Sequence, residues 1–467
     1  MLDQEERILA HGLPGSFHVQ TQVAASPRVS RAVSLLFLLF AARLVTAAIL
    51  VPPWQNPDEG VYFAVNRALT YTPWLDIANR RNVDVQAEIL RSMAEHGWWS
   101  AYGEPVPDPL PSTFLGVPTH MGDASEAPPP YHVVMAAYCR GLRARGLLTQ
   151  YYAVRLASAM MTLLTFALIL RGAREWFDDT IAFYSGALVA VVPQFVVIGI
   201  SVTPDPALFL AAAVVWWQAA RLAARKGIVV PVALMSMATG AAVFLKPLAV
   251  PLLVQVPALM FVAALFTPRG RLLTAIVVAA GVLLRLTGVL RAAVWLSPEQ
   301  LTTLHNYIKT LGWGDFAPTP AYFADFSWRL FESAYLVAGW QRFYPPAWIV
   351  GIGLAIFVVL LTRGILWAWV QRGDARSRLA ALAAVVFVAV QLAAIYGTKY
   401  YRPDWGAQGR FLFPAIGPFA ALCAVGLVRW RVQPSTMWVC LGVVALMALL
   451  DLVAWMTTLV PVYARWI

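Results

Sequence analysis

Two carboxylates, Asp58 and Glu59, stand side by side in Pro57-Asp58-Glu59, just after an apolar run that ends at Leu50 or Val51. The chain is 60% hydrophobic and 13% charged. Adjacent acids at a membrane surface in such a chain are costly unless they are paired or used. More polar residues are set between apolar runs. They are Glu126 and Tyr131 in Glu126-Ala127-Pro128-Pro129-Pro130-Tyr131, Asp205 in Thr203-Pro204-Asp205-Pro206, and Lys246 before Pro247. Lys399 and Arg402 follow in Gly397-Thr398-Lys399-Tyr400-Tyr401-Arg402, and Arg410 in Gln408-Gly409-Arg410-Phe411-Leu412-Phe413-Pro414. A carboxylate can take the proton of a hydroxyl nucleophile. Arginine grips a phosphate with a planar fork and lysine with a point charge. If these residues share one side of the membrane, they suit an anionic, lipid-attached substrate.

The elements that must position them are membrane spans. Apolar runs long enough to cross a bilayer recur through all 467 residues. The runs predict an all-α polytopic protein of about eleven helices: 32–51, 151–170, 181–200, 207–224, 228–245, 248–266, 272–296, 346–370, 379–396, 411–428 and 437–460. Basic residues cluster in alternate loops: Arg171/Arg174, Arg221/Arg225/Lys226, Arg269/Arg271, Arg372/Arg376/Arg378 and Arg429/Arg431. The positive-inside rule makes that side cytoplasmic, together with the N-terminal segment 1–31. The net charge of +11 therefore reports topology rather than nucleic-acid binding. The long polar segment 52–150 then lies outside. Val61–Tyr71 and Val83–His96 are expected there as amphipathic helices, with Trp54, Trp74, Trp98 and Trp99 at headgroup depth. A membrane core over 32–430 would be followed by a C-terminal helix within 431–467. The acidic, mixed-charge N-terminus does not read as a cleavable signal.

Plainer roles are open to the same residues. Asp58-Glu59 suits a helix N-terminus, Asp205 a proline turn, and Arg410, Lys246 and Arg155 interfacial anchoring. Arg43 and Arg285 lie inside spans and call for a partner or a function. Cys139, Cys423 and Cys440 show no ligand spacing and read as small apolar residues; the six histidines show no ligand pairing either. No cofactor is expected. A divalent ion between Asp58 or Glu59 and a substrate phosphate is chemically feasible but unsupported by any spacing.

Pro57-Asp58-Glu59 after the first span, Glu126-Ala127-Pro128-Pro129 with Tyr131, the Pro204-Asp205 turn and Gln408-Gly409-Arg410-Phe411-x-x-Pro414 together resemble GT-C membrane glycosyltransferases. The likeness is to the protein mannosyltransferase and aminoarabinose transferase type. It is nearest to a bacterial group with a P-D-E start and a Q-G-R-[YF]-L-x-P ending, and it spans about Ala32 to Pro414. It implies a GT-C core and a sugar donor on polyprenyl phosphate. It also implies an envelope acceptor (lipid, polysaccharide or protein) and a site on the non-cytoplasmic face of a bacterial plasma membrane. By the same resemblance Asp58 is the base or orienter of the acceptor, with Glu59 beside it, and Glu126 helps form the pocket. Arg410, Lys246, Lys399 and Arg402 are then the candidates for the leaving phosphate, with Asp205 and Tyr131 near the substrate. Transfer would invert the anomeric centre with a single base. Two departures stand out: Ala127 replaces a common Lys or His, and Gly60-Val61-Tyr62-Phe63 follows the acidic pair. A transporter or flippase of a lipid-linked glycan is the rival reading. The scarcity of midplane charge, the absence of an evident repeat and the long polar loop speak against it.

Overall fold

The computed structural model describes residues 27–71, 82–117, 129–224, 226–246, 249–264, 319–338, 342–370, 375–401, 408–429 and 435–463. It is a polytopic bundle of α-helices. Among the described residues the only extended pairing is one bridge between Ala338 and Phe343. Helix α1 (Pro27–Leu50) enters the membrane, and a polar layer follows with α2 (Glu59–Tyr71), α3 (Val83–Glu95), α4 (Trp98–Tyr102) and α5 (Pro129–Arg140). The bundle continues with α6 (Leu147–Trp176), α7 (Asp179–Ala190), α8 (Pro193–Gly199), α9 (Asp205–Ala223), α10 (Val229–Leu245) and α11 (Leu252–Ala264). After α12 (Pro320–Tyr335) come α13 (Ala347–Val370), α14 (Ala375–Tyr401), a 3-10 turn (Gly409–Ala415), α15 (Ile416–Val428) and α16 (Ser435–Ala454).

Seven described helices are long and apolar enough to span. α7 and α8 form an eighth candidate bent by 75°, and α10 and α11 are shorter apolar helices. Pro193 explains the bend, because it has no N–H to donate and starts a new helix at its first turn. Ten of the eleven expected runs thus fall on described helices; 272–296 lies outside the described residues.

Packing in the bundle relies on small residues where backbones meet. A Cβ on Gly426 would come within 2.0 Å of the Leu360 carbonyl oxygen, and one on Gly364 within 2.2 Å of that of Leu422. Only glycine lets α13 and α15 cross that closely, as small residues do at membrane helix crossings. Charges at the end of α6 fix the other extremity of the bundle. Arg174 pairs with Asp179, Lys226 with Glu175, and Arg429 with Asp178. These basic residues lie at the opposite end of α6 from Arg155, which points toward the Asp58 loop.

The polar layer has its own core, built from Trp54, Phe63, Ile89, Leu90, Met93, Trp98, Trp99, Tyr131 and Tyr151. This corrects one expectation. Trp54, Trp98 and Trp99 are buried inside the layer rather than lying at headgroup depth. Their large rings pack with Phe63, Leu90, Met93 and Tyr151 in that core, where burial takes their area out of water. The helix expectations hold, with α2 and α3 covering the two amphipathic stretches. Trp74 lies outside the described residues.

Candidate functional site

Asp58 stands at the start of α2 in a left-handed conformation, φ +69°, which aspartate tolerates better than most residues. Its carbonyl accepts the Tyr62 N–H at 3.0 Å and opens the helix. Its side chain turns away from the helix. Arg410 Nη2 donates to Asp58 Oδ2 at 2.7 Å. Arg410 Nη1 donates to Asp205 Oδ2 at 3.3 Å, and its Nε donates to Gln408 Oε1 at 2.6 Å. Asp205 also takes the Lys246 ammonium on Oδ1 and the Thr203 hydroxyl on Oδ2. Residues 58, 205, 246 and 410 therefore form one alternating chain of charge: carboxylate, guanidinium, carboxylate, ammonium. Exposure along it is uneven. The Asp58 side chain is 34% exposed, and that of Asp205 is 2%.

Four elements deliver these groups to one end of the bundle. Asp58 follows α1, Asp205 begins α9, Lys246 ends α10, and Arg410 sits on the 3-10 turn before α15. Gly409 has a definite job in this. A Cβ there would lie 2.0 Å from the Ala334 backbone nitrogen, so only glycine lets the turn lie against α12. Its N–H donates to the Ser333 hydroxyl at 2.8 Å. The close approach is thus to a neighbouring helix, and it fixes where Arg410 points.

Glu59 has no exposure and a full set of partners. It accepts from the Asn56 N–H at 3.2 Å, the Asn56 amide at 3.1 Å, the Tyr151 hydroxyl at 2.8 Å and the Val202 N–H at 3.1 Å. Arg155 reaches it at 3.4 Å and also donates to the Ala48, Val51 and Pro52 carbonyls. Glu59 thus ties the loop that carries Asp58 to the turn that carries Asp205.

Tyr62, four residues after Asp58, was not singled out by sequence; its spacing on the helix face was the signal available. It stacks on His132 (5.7 Å, 16°) and meets Tyr131 edge-on at 6.3 Å. Burial, then the Asp58 and Asp205 carboxylates, push the Tyr62 phenol up, so it stays protonated. Burial pushes the Tyr131 phenol well up too. His132 Nδ1 lies 2.7 Å from Asn66 Oδ1. Lys399 is buried at the end of α14, its ammonium over Tyr322 (5.3 Å) and Phe326 (5.5 Å) of α12. Glu126 and Arg402 lie outside the described residues. No three His, Cys, Asp or Glu side chains converge on a metal position among the described residues.

Next to the 3-10 turn an apolar cavity of about 140 Å³ opens between α7, α12, α13, α14 and α15. Leu188, Tyr335, Phe357, Leu392, Leu412 and Phe413 are among its walls. Leu412 and Phe413 stand two and three residues after Arg410, on the same 3-10 turn.

A second charge pair lies within the bundle. Arg43 bonds to Asp451 and to the Ala190 carbonyl, with its guanidinium 5.2 Å from the Trp455 ring. Asp451 is a lone acid in an apolar helix; it was the complement that Arg43 called for.

The model of the dolichyl-phosphate-mannose-protein mannosyltransferase family matches residues 134–295. Among solved structures, ArnT from Cupriavidus metallidurans in the apo state is similar with a TM-score of 0.50 at 16% identity, over 93% of this chain and 78% of that one. The same protein bound to undecaprenyl phosphate gives 0.49 at 15% identity, over 95% and 78%. The archaeal oligosaccharyltransferase AglB from Archaeoglobus fulgidus, in complex with an inhibitory peptide and a dolichol-phosphate, gives 0.49 at 13% identity, over 91% and 56%. No curated protein matches the sequence. The chain has a GT-C membrane glycosyltransferase fold.

Proposed function

We propose that this protein is a membrane glycosyltransferase that moves a sugar from a polyprenyl-phosphate donor to an acceptor hydroxyl. The observation that carries the reading is the charge chain of Asp58, Arg410, Asp205 and Lys246, with Arg410 on the same 3-10 turn as two walls of an apolar cleft, Leu412 and Phe413. A lipid-linked donor is amphipathic in the same sense, with an anionic phosphate on a hydrocarbon tail. Arg410 takes the phosphate, and the tail follows Leu412 and Phe413 into the cleft. ArnT, whose fold is similar, binds undecaprenyl phosphate.

The reaction then runs as one displacement. The acceptor oxygen attacks the anomeric carbon as the bond from that carbon to the phosphate oxygen breaks. Asp58 takes the acceptor's proton, and the electron pair leaves on the lipid phosphate. Negative charge grows on the leaving oxygens, where a guanidinium fork stabilises it most. Attack opposite the phosphate inverts the centre without a covalent intermediate. Glu59 holds the loop in place rather than touching the reacting atoms. The site faces the non-cytoplasmic side of the membrane, which the sequence resemblance makes a bacterial plasma membrane, because the basic residues Arg174, Lys226 and Arg429 lie at the other end of the bundle. The acceptor is an envelope lipid, polysaccharide or protein.

The test is transfer by the purified protein. Labelled polyprenyl-phosphate sugars incubated with envelope extract should give a labelled acceptor, and Asp58→Asn should not. Label retained on the donor with every sugar tried would sink the reading. Sidedness is tested with Glu104→Cys, an exposed position in the polar layer, on a background of three buried native thiols. An impermeant thiol reagent should label it in intact cells; labelling only after permeabilisation would reverse the orientation.

A further inference from the structure

Asp58 and a substrate phosphate compete for the same guanidinium. Each of the three nitrogens of the Arg410 guanidinium donates a hydrogen bond, to Gln408, Asp205 and Asp58. While Arg410 holds Asp58 Oδ2, that lone pair cannot take an acceptor's proton, and the carboxyl group stays turned toward the guanidinium. The two carboxylates on Arg410 are not equally replaceable. Asp205 is buried and has Lys246 and Thr203 as further partners. Asp58 is one-third exposed on its side chain and stands at the open end of the chain. An incoming anion therefore displaces Asp58 and leaves Asp205 in place.

We infer that the donor phosphate and Asp58 exchange places on Arg410, so that donor binding releases the base and must precede activation of the acceptor. The inference rests on the proposed glycosyl transfer and adds an order to it. Charge balance supports the exchange. Arg410 faces two anions before and after, because the phosphodiester monoanion takes the contact that the Asp58 carboxylate gives up. The backbone supports it too. Glu59 clamps the loop to Val202 and Tyr151, so Asp58 leaves by rotating its side chain while the loop stays put. Without the donor's phosphate the base remains tied to Arg410, which guards the site against abstracting protons unproductively. Linkage makes the competition reciprocal: whatever the phosphate takes from Asp58, Asp58 takes from the phosphate.

The test is binding of sugar-free undecaprenyl phosphate, titrated into the detergent-purified full chain. Asp58→Asn and Asp58→Gly both suit a left-handed φ, so the loop keeps its shape in each. Both variants should bind the lipid phosphate about tenfold more tightly than the wild type, because a competing charged hydrogen bond is gone. A gain in Asp58→Asn alone would mark a new amide contact and overturn the exchange. Equal or weaker binding by both variants would also overturn it while leaving glycosyl transfer standing. Failure of the wild type and both variants to bind would remove the lipid-phosphate donor itself, and the exchange with it.

Discussion

Asp58 and Glu59 are neighbours in the chain and live in opposite surroundings. Glu59 is sealed, its oxygens filled by two backbone N–H groups, an amide, a phenol and a guanidinium. Asp58 is partly open and holds an arginine that it shares with a second acid. The first arrangement resists change, because every partner is fixed by its own backbone and removal of one strands the rest. The second arrangement invites exchange, because Arg410 has two anions within reach. On the proposed function, one dipeptide supplies a bracket and a reactive group, and the bracket holds the reactive group in register.

The largest effect expected is on the bracket. Glu59→Ala strands Arg155 in a buried site, and breaking such a pair costs about 3–5 kcal/mol. Thermal unfolding in detergent should show a sharply lowered midpoint, and expression should fall. Glu59→Gln keeps size and some hydrogen bonds and should fall between. A Glu59→Ala protein with wild-type stability and no turnover would turn the comparison round and make Glu59 the reactive acid.

Asp58→Asn comes next. The amide keeps the shape and lacks the basicity, so turnover should fall by about 10²-fold or more with folding intact. The check is initial rate per folded protein. Near-normal rates would remove Asp58 as base and pass the role to Glu126.

This contrast marks how far the sequence could be read. Spans were legible because a bilayer demands apolar runs of a set length, and the gathering of Asp58, Asp205, Lys246 and Arg410 was legible because each breaks such a run at the same side, though their pairing with one another was not. What adjacency hides is facing. Nothing in Pro57-Asp58-Glu59 says that one acid turns inward to Arg155 and the other toward Arg410, since that depends on the left-handed backbone at Asp58. The tryptophans were misplaced for a similar reason. An indole near a membrane has the same signature whether it faces headgroups or a local core, and only the packing of α3 and α4 decides. Asp451 went unread as the partner of Arg43 because the two lie 408 positions apart.

Arg410→Ala should show a moderate effect on both donor affinity and rate. A charged hydrogen bond to phosphate is worth about 1.5–3 kcal/mol, and more of it is realised as the leaving group gains charge. Arg410→Lys should recover part, because the ammonium lacks the fork. Donor titrations with KM and kcat separated make the check. Normal values in Arg410→Ala, with lower expression, would leave Arg410 as an anchor.

The smallest effect belongs to Lys246, and it sharpens the comparison most. Sequence makes it one candidate for the phosphate; its ammonium is engaged with Asp205, which is buried and also held by Arg410 and Thr203. If Lys246 acts through Asp205, Lys246→Met leaves that carboxylate with its arginine. Arg410 is then drawn a little more toward Asp205 and a little less toward a phosphate. Donor affinity should weaken by about 0.5–1.5 kcal/mol, the range of an ordinary hydrogen bond, with kcat nearly unchanged. If Lys246 touches the phosphate itself, its charge helps the leaving group and kcat must fall with affinity, as in Arg410→Ala. The double variant decides between them. Independent phosphate contacts give additive losses. A lysine acting through Asp205 and Arg410 loses its effect once Arg410 is alanine, because the side chain it was tuning is gone.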